Sequence, residues 1–435
     1  MAYKINHADI LDWAENYDGE PFDGILCDPP YELGFMGKSW DSTGIAFNVE
    51  LWNELLRICK PGAHLLAFSG SRTYHRMAVA IEDAGFEIRD MIEWVYGSGF
   101  PKSLNIGKAV DKIQGNERKI IGKSQHFDKY NSEKYVKNNA VEYAGRKTKE
   151  EVGYLTKGTS EWEGYGTALK PAHEPCVLAR KPIKGTVANN CLEHGTGGLN
   201  IDGTRVELAS SDDTKRVSGG HKTSYIGGTL DKNYDISLQA NRDLGRFPAN
   251  LIHDGSDEVL EVFPNVRAGK AIRTNRAKTY NNTSYSIAGP LPDMGYGDSG
   301  SAARFFYCAK SSKSERNAGL DGFEEKQKFW HNHEGRDMTN PKNYIGGKVL
   351  IQTAKNHHPT VKPLALTKYL ANLIKPPKGG RLLVPFSGSG SEMIGALQAG
   401  WEYVEGVELT EEYIPIAEAR IKYWLDKMDK QMGML

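Results

Sequence analysis

The run Phe22–Cys27 (FDGILC) breaks off at Asp28-Pro29-Pro30-Tyr31. It reads as a buried strand, and two consecutive prolines cannot continue a central strand, so the chain must turn there. The turn leaves a carboxylate, an outward-facing carbonyl and an aromatic ring together at a strand's carboxyl end. A plain rigid turn would use similar residues, so the surrounding pattern has to decide between the two.

That pattern alternates. Tyr3–Asn6 is a short strand candidate. Trp52, Leu55, Leu56 and Cys59 recur at helical spacing up to a stop at Pro61-Gly62, and His64–Phe68 is a second apolar strand. A helix through Met77, Ala80 and Ile81 stops at Gly85, and Glu87–Tyr96 is a third strand. The far end repeats the alternation. Pro363 opens a helix bearing Leu366, Tyr369, Leu370 and Leu373 on one face. Arg381–Phe386 and Tyr403–Leu409 are strands flanking a helix that runs to Gly400, and a last helix carries Tyr413, Ala417, Ile421, Trp424 and Met428. Strand–helix–strand alternation argues for a parallel sheet covered by helices. Residues 1–100 and 351–435 therefore read as one α/β domain split by an insert, 101–350. From the insert His173–Lys181 returns to the sheet, and Phe305–Ala309 is a second strand-like segment.

Composition narrows the class. The 435 residues carry 55 Lys+Arg against 55 Asp+Glu, with 39% hydrophobic residues, as in a soluble globular protein with ample core. No apolar run is long enough to span a bilayer, and the N-terminus lacks a signal-peptide pattern. Five scattered cysteines without a C-x-x-C pair exclude a disulfide framework and a cysteine zinc site, and point to a reducing compartment, the cytoplasm. The neutral total hides an uneven distribution: residues 101–350 hold 38 Lys+Arg and 30 Asp+Glu, which suits a segment that meets a polyanion.

Two strand ends carry chemistry. After Arg381–Phe386 comes Ser387-Gly388-Ser389-Gly390 and then a helix. Glycines let the backbone approach a ligand, and a helix N-terminus favours a carboxylate or phosphate. Glu408, at the tip of the next strand, stands where an acidic side chain can accept bonds from both ribose hydroxyls. At the other turn, Asp28 and the Pro29 carbonyl can each accept one N–H of an exocyclic amine. That draws the nitrogen toward tetrahedral geometry and restores a lone pair otherwise delocalised into the base, while Tyr31 offers a surface for the base to stack on.

Asp28–Tyr31 together with Pro385-Phe386-Ser387-Gly388-Ser389-Gly390 resembles the amino-group DNA methyltransferases that use S-adenosylmethionine. His358-Pro359-Thr360-Val361-Lys362-Pro363 matches a third signature of that family. Their order is that of the permuted beta subgroup, and Glu93–Ser103 and His173–Pro182 are similar to phage-type members. The resemblance implies a Rossmann-like, doubly wound, seven-stranded α/β methyltransferase sheet with a large inserted target-recognition region. Residues 1–100 would be the first part of the catalytic domain and 351–435 its cofactor-binding second part, with 173–182 returning from the insert. Asp28, Pro29 and Tyr31 would hold the target base, Pro30 would shape the turn, and Asp28 would also border the cofactor. Phe386, Gly388 and Gly390, within a loop completed by Pro385, Ser387 and Ser389, would wrap the methionine part. Glu408 would meet the ribose beside Leu409, Asp9 and Ile10 the adenine, and Thr360 and Lys362 the methionine carboxylate. One departure stands out. Where the family usually has an acid before Pro385, this chain has Val384, which removes a partner for the cofactor's ammonium group.

The resemblance thus implies a site-specific methyltransferase that acts on double-stranded DNA and flips one base out of the duplex. Asp28 favours adenine N6, since members acting on cytosine N4 more often have Ser there; N4-cytosine is the alternative, and a non-catalytic DNA-binding protein is the alternative of another class. In the insert, Arg267, Lys270, Arg273, Arg276 and Lys278 form a basic tract free of acids, with Lys102 opening a second tract; both suit phosphate contacts. Trp94 and Tyr96 are candidates to stack on the flipped base, although Trp94 suits the strand core equally well. His331-x-His333 and His357-His358 lack converging acids or cysteines, so no metal is expected. A homodimer and a restriction partner are left open.

Overall fold

The computed structural model describes residues 2–33, 39–99, 103–123, 154–208, 245–267, 299–310, 312, 314–328 and 352–432. The chain forms two compact units, one of Met1–Gly97, His173–Gln327 and Thr353–Leu435, the other of Ser98–Ala172 and Lys328–Gln352.

The larger unit is built on one mixed sheet. Its strands are β1 (Ala2–His7), β2 (Phe22–Cys27), β3 (Cys59–Phe68), β4 (Glu87–Val95), β5 (His173–Arg180), β6 (Leu251–His253), β7 (Tyr307–Cys308), β8 (Arg381–Val384) and β9 (Tyr403–Glu408). They lie in the order β1-β9-β8-β2-β3-β5-β4-β6-β7. Every neighbouring pair is parallel except those of β5, which runs antiparallel to β3 and β4. The seven strands from β1 to β4 in this order are those expected of the family, and β5 is the returning segment. The insert adds two short strands, β6 and β7, that extend the β4 edge.

Helices cover both faces because strand side chains alternate. On β2, Phe22, Ile25 and Cys27 join a core with Leu51, Trp52 and Leu55 of α2 (Val49–Arg57) and Met77 and Ile81 of α3 (Tyr74–Asp83). Leu26 points the other way, into a core with Leu366 and Leu370 of α4 (Leu364–Leu373), Met393 and Ile394 of α5 (Ser391–Gln398) and Ile421 of α6 (Ile414–Met432). Two fully buried indoles keep their N–H groups satisfied: Trp52 donates to Ala46 O and Trp401 to Ala371 O, each at 3.0 Å.

One local expectation needs correction. The helix through Trp52 ends at Arg57, not at Pro61-Gly62, and Cys59 belongs to β3. Pro61 and Gly62 instead occupy an irregularity in β3, where the pairing with β2 jumps from Phe22↔Cys59 to Gly24↔His64. A bulge of this kind accepts a proline and the positive φ of Gly62 (82°) without ending the strand.

The smaller unit contains a helix, Ile106–Gln114, capped by Asn105, whose Oδ1 accepts from Lys108 N at 2.9 Å. Lys119–Lys123 pairs antiparallel with Tyr154–Lys157. Arg118 ties the helix to this hairpin and to the turn after it, donating to the fully buried Asp111, to Thr156 O at 3.1 Å and to both Glu163 oxygens at 2.8 Å.

Candidate active site

The sheet order brings the chain's two ends together. The carboxyl ends of β2 and β8 are adjacent, so the Asp28-Pro29-Pro30-Tyr31 turn and the Pro385–Gly390 loop emerge side by side. Such a crevice outside strand carboxyl ends is where open α/β sheets bind ligands.

The glycine loop is stitched onto β9. Ser387 N donates to Val407 O at 2.9 Å and Gly388 N to the Glu408 carboxylate at 2.8 Å. The other Glu408 oxygen accepts from Thr410 N at 2.8 Å, and burial raises this carboxyl against the lowering effect of those two N–H groups. Gly388 and Gly390 have φ of 49° and 82°, and a Cβ on Gly388 would lie 2.8 Å from His358 Nε2. Only glycine fits there without displacing His358. From behind, the fully buried Arg420 of α6 donates to Ser389 O, to Ser389 Oγ at 2.9 Å and to Ser391 Oγ at 3.2 Å. Asn356, also fully buried, donates to Ser389 Oγ at 3.3 Å. Burial, with Arg316 and Arg420 close by, lowers His358 to about 3, so its ring is neutral against the loop.

At the other turn, Lys362 is the centre. Its Nζ donates to Asp28 Oδ2 at 2.6 Å and to Tyr31 OH at 3.0 Å, and lies 3.2 Å from Glu174 Oε2. Burial works against the charge of Lys362, but the carboxylates of Asp28 and Glu174 outweigh it and hold the ammonium above the usual lysine range. Tyr31 OH donates to Glu174 Oε2 at 2.9 Å, and Tyr96 OH to Glu174 Oε1 at 3.3 Å. Burial first, then Asp28 and Glu174, keeps the Tyr31 phenol protonated. Thr73 Oγ1 donates to Tyr31 O at 2.8 Å and fixes the turn from β3's side.

One acceptor is left over. Asp28 Oδ1 is buried and has no hydrogen-bond partner among the described residues. Ser387 Oγ, across the crevice in the glycine loop, is buried without a partner as well.

The other expected residues fall as follows. Lys362, expected at the methionine carboxylate, sits on Asp28 and Glu174; Thr360 is exposed, its carbonyl engaged by His358 Nδ1. Asp9 caps α1 (Ile10–Glu15), accepting from Leu11 N at 2.8 Å and Asp12 N at 3.3 Å, and Ile10 is buried. Leu409 is exposed at the tip of β9. Trp94 stacks obliquely on Tyr96, centroids 4.9 Å apart, and packs against the core on the α4–α6 side. Lys102, Lys270, Arg273, Arg276 and Lys278 lie outside the described residues, and Arg267 is described in its backbone alone. Among the described residues no group of His, Cys, Asp and Glu could hold a metal ion, and no helix is long and apolar enough to cross a membrane.

Sequence reasoning missed Glu174, Asn356, Glu392 and Arg420. Glu174 had a signal, because it is the second residue of the segment His173–Lys181 expected to return to the sheet.

A doubly wound sheet with an Asp-Pro turn and a glycine loop at adjoining strand ends defines an α/β protein with a nucleotide-type crevice. A family model described as DNA methylase matches residues 22–419, and the chain belongs to this family of N6/N4 amino-group methylases. It is similar to the type II methyltransferase M.HindIII of Haemophilus influenzae, 27% identical over 156 residues, covering 35% of this chain and 38% of that protein. It is also similar to the putative methylase YubD of Escherichia coli, 38% identical over 69 residues, covering 16% of this chain and 30% of YubD. The chain thus spans about a third of the length of these curated relatives. Among solved structures, the PvuII DNA methyltransferase (cytosine-N4-specific) aligns over 98% of this chain and 91% of its own at 10% identity, with a TM-score of 0.41.

Proposed function

We propose that the chain is an S-adenosylmethionine-dependent DNA methyltransferase that methylates the N6 amine of an adenine flipped out of a double-stranded site. The observation that carries this is Asp28 Oδ1, a buried carboxylate oxygen left without a partner beside Pro29 and facing a glycine loop on the neighbouring strand. An unmatched buried acceptor is costly, and an amine N–H arriving there removes the cost.

The crevice residues fit the cofactor. Glu408 is anchored at the tip of β9 with lone pairs left for ribose hydroxyls, Leu409 offers an exposed apolar surface beside it, and Ser387 Oγ lacks a partner. Asp9 and Ile10 would border the adenine, and Phe386, Gly388 and Gly390 the methionine part. When bound, S-adenosylmethionine supplies a methyl group on sulfonium, open to in-line displacement. Lys362 pairs with Asp28 and orients it through Oδ2, so that Oδ1 is directed to the amine. The Pro29 carbonyl takes the second N–H, and Tyr31, fixed through Glu174 and Thr73, stacks on the base. S-adenosylmethionine would supply the methyl group to the amine nitrogen and keep the sulfur as the leaving group, and Asp28 Oδ1 would be the buried acceptor available for the proton released. Trp94 and Tyr96 would flank the base, and Lys102 and the tract from Arg267 to Lys278 would meet phosphates.

The test is methyl transfer to unmodified DNA, with nucleoside digestion and mass spectrometry. N6-methyladenine is expected. N4-methylcytosine would keep the mechanism and change the base, whereas no methylated nucleoside despite DNA binding would sink the proposal. Asp28→Ala should abolish transfer and leave DNA binding intact.

A further inference from the structure

The crevice holds an acid that the roles above do not use. Glu392 lies in the first turn of α5, two residues past Gly390, and is only 4% exposed. No salt bridge reaches its carboxylate from the described residues, and no side chain donates to it. Its strongest electrostatic neighbours are Asp28, a like charge, and Lys362, followed by Arg420. The helix that carries it leads straight from the glycine loop at the end of β8, beside the end of β2, which puts Glu392 at the edge of the crevice.

The balance of charge is uneven. Lys362 is held by two carboxylates, Asp28 and Glu174, at 2.6 and 3.2 Å. Arg420 gives its Nη hydrogen bonds to Ser389, Ser391 and the Glu315 carbonyl, and its buried Nε has no partner among the described residues. Strand β8 contributes no anion, since Val384 is fully buried in the apolar core. Glu392 is therefore a buried acid that no cation hydrogen-bonds among the described residues, in a crevice whose lysine is already shared. A buried charge of this kind is costly unless a counter-charge arrives. The dipole of α5 favours a carboxylate in its first turn, but its effect is small beside that cost.

Resting on the cofactor assignment proposed above, we infer that Glu392 binds the ammonium group of S-adenosylmethionine. A compact ammonium with three donors suits an acid whose one hydrogen bond among the described residues comes from its own backbone N–H. The methionine end of the ligand would then be fixed by an acid on α5, with Asp28 left for the base.

Calorimetric titration of the full chain tests this with S-adenosylmethionine, S-adenosylhomocysteine, the deaminated analogue of S-adenosylhomocysteine, and 5′-methylthioadenosine, which lacks the whole amino-acid part. In Glu392→Gln, the two ligands that carry an ammonium should weaken about tenfold or more. The deaminated analogue and methylthioadenosine should bind the variant as they bind wild type. With wild type, removal of the amino group from S-adenosylhomocysteine should cost a similar factor, a readout that does not depend on how the variant folds. Equal weakening of all four ligands in the variant would overturn the inference, because Glu392 would then only shape the loop. Unchanged affinity for all four would overturn it too. If wild type binds none of them, the cofactor assignment falls and takes this inference with it.

Discussion

Lys362 is the residue on which both turns depend. It is 5% exposed and bonds an Asp28 that is 12% exposed, so Lys362→Met leaves a buried carboxylate without its cation. The expected loss is about 3 to 5 kcal/mol of unfolding free energy, read from urea denaturation of the protein without ligand. Glu174→Gln is gentler. It keeps the volume but weakens the grip on Lys362 and Tyr31, and single-turnover transfer should slow by about tenfold, with cofactor affinity near wild type. A variant that lost affinity and rate together would place Glu174 at the cofactor instead. Asp28 was legible from its own tetrapeptide, because a carboxylate followed by two prolines is a local arrangement. Glu174 was not, because only the antiparallel entry of β5 between β3 and β4 puts it opposite Trp94 and within reach of Tyr31.

Among the elements, those with strong local signals were read closest to their true bounds. Phe22–Cys27, Tyr403–Leu409 and the helix after Gly390 all appear within a residue or two. The start of β3 was misjudged because a proline and a glycine normally end an element, whereas here they sit in a bulge whose existence depends on β2. Seven strands followed from the resemblance; β6 and β7 are too short to show periodicity. Two element-scale predictions follow from caps and turns. Asp9→Ala removes the side chain that caps α1, and should lower stability by about 1 kcal/mol in thermal unfolding. Gly390→Ala must hold a Cβ at a φ of 82°, 3.2 Å from the Ala417 Cβ. It should cost about 1 to 2 kcal/mol, and the displaced loop should also weaken cofactor binding in titration.

At the scale of the molecule, buried groups among the described residues contribute to pH dependence with opposite signs. Burial, helped by Asp28, lifts Glu392 from 4.5 to about 7, so the folded chain holds a proton there that the unfolded chain has released. Stability therefore falls as pH rises across that window. Burial, with Arg180 and Arg89 nearby, lowers His64 from 6.5 to about 4, and His358 is lowered further. Those two rings contribute stability that is lost as pH falls below 6.5. Glu392→Gln should thus unfold at about the wild-type temperature at pH 4.5 and at a higher one at pH 8, measured without ligand. No opening of that gap would mean that Glu392 is already compensated in the free protein.

The order of the sheet also bears on how such a chain is made. β1 is an edge strand whose one neighbour is β9, and β2 meets β8 on the same side. On the ribosome, therefore, β1 emerges long before β9, the strand it pairs with. The Asp28 turn exists as a stretch of chain long before there is a loop to face it, and the crevice between them can form only once β8 and its loop have been made.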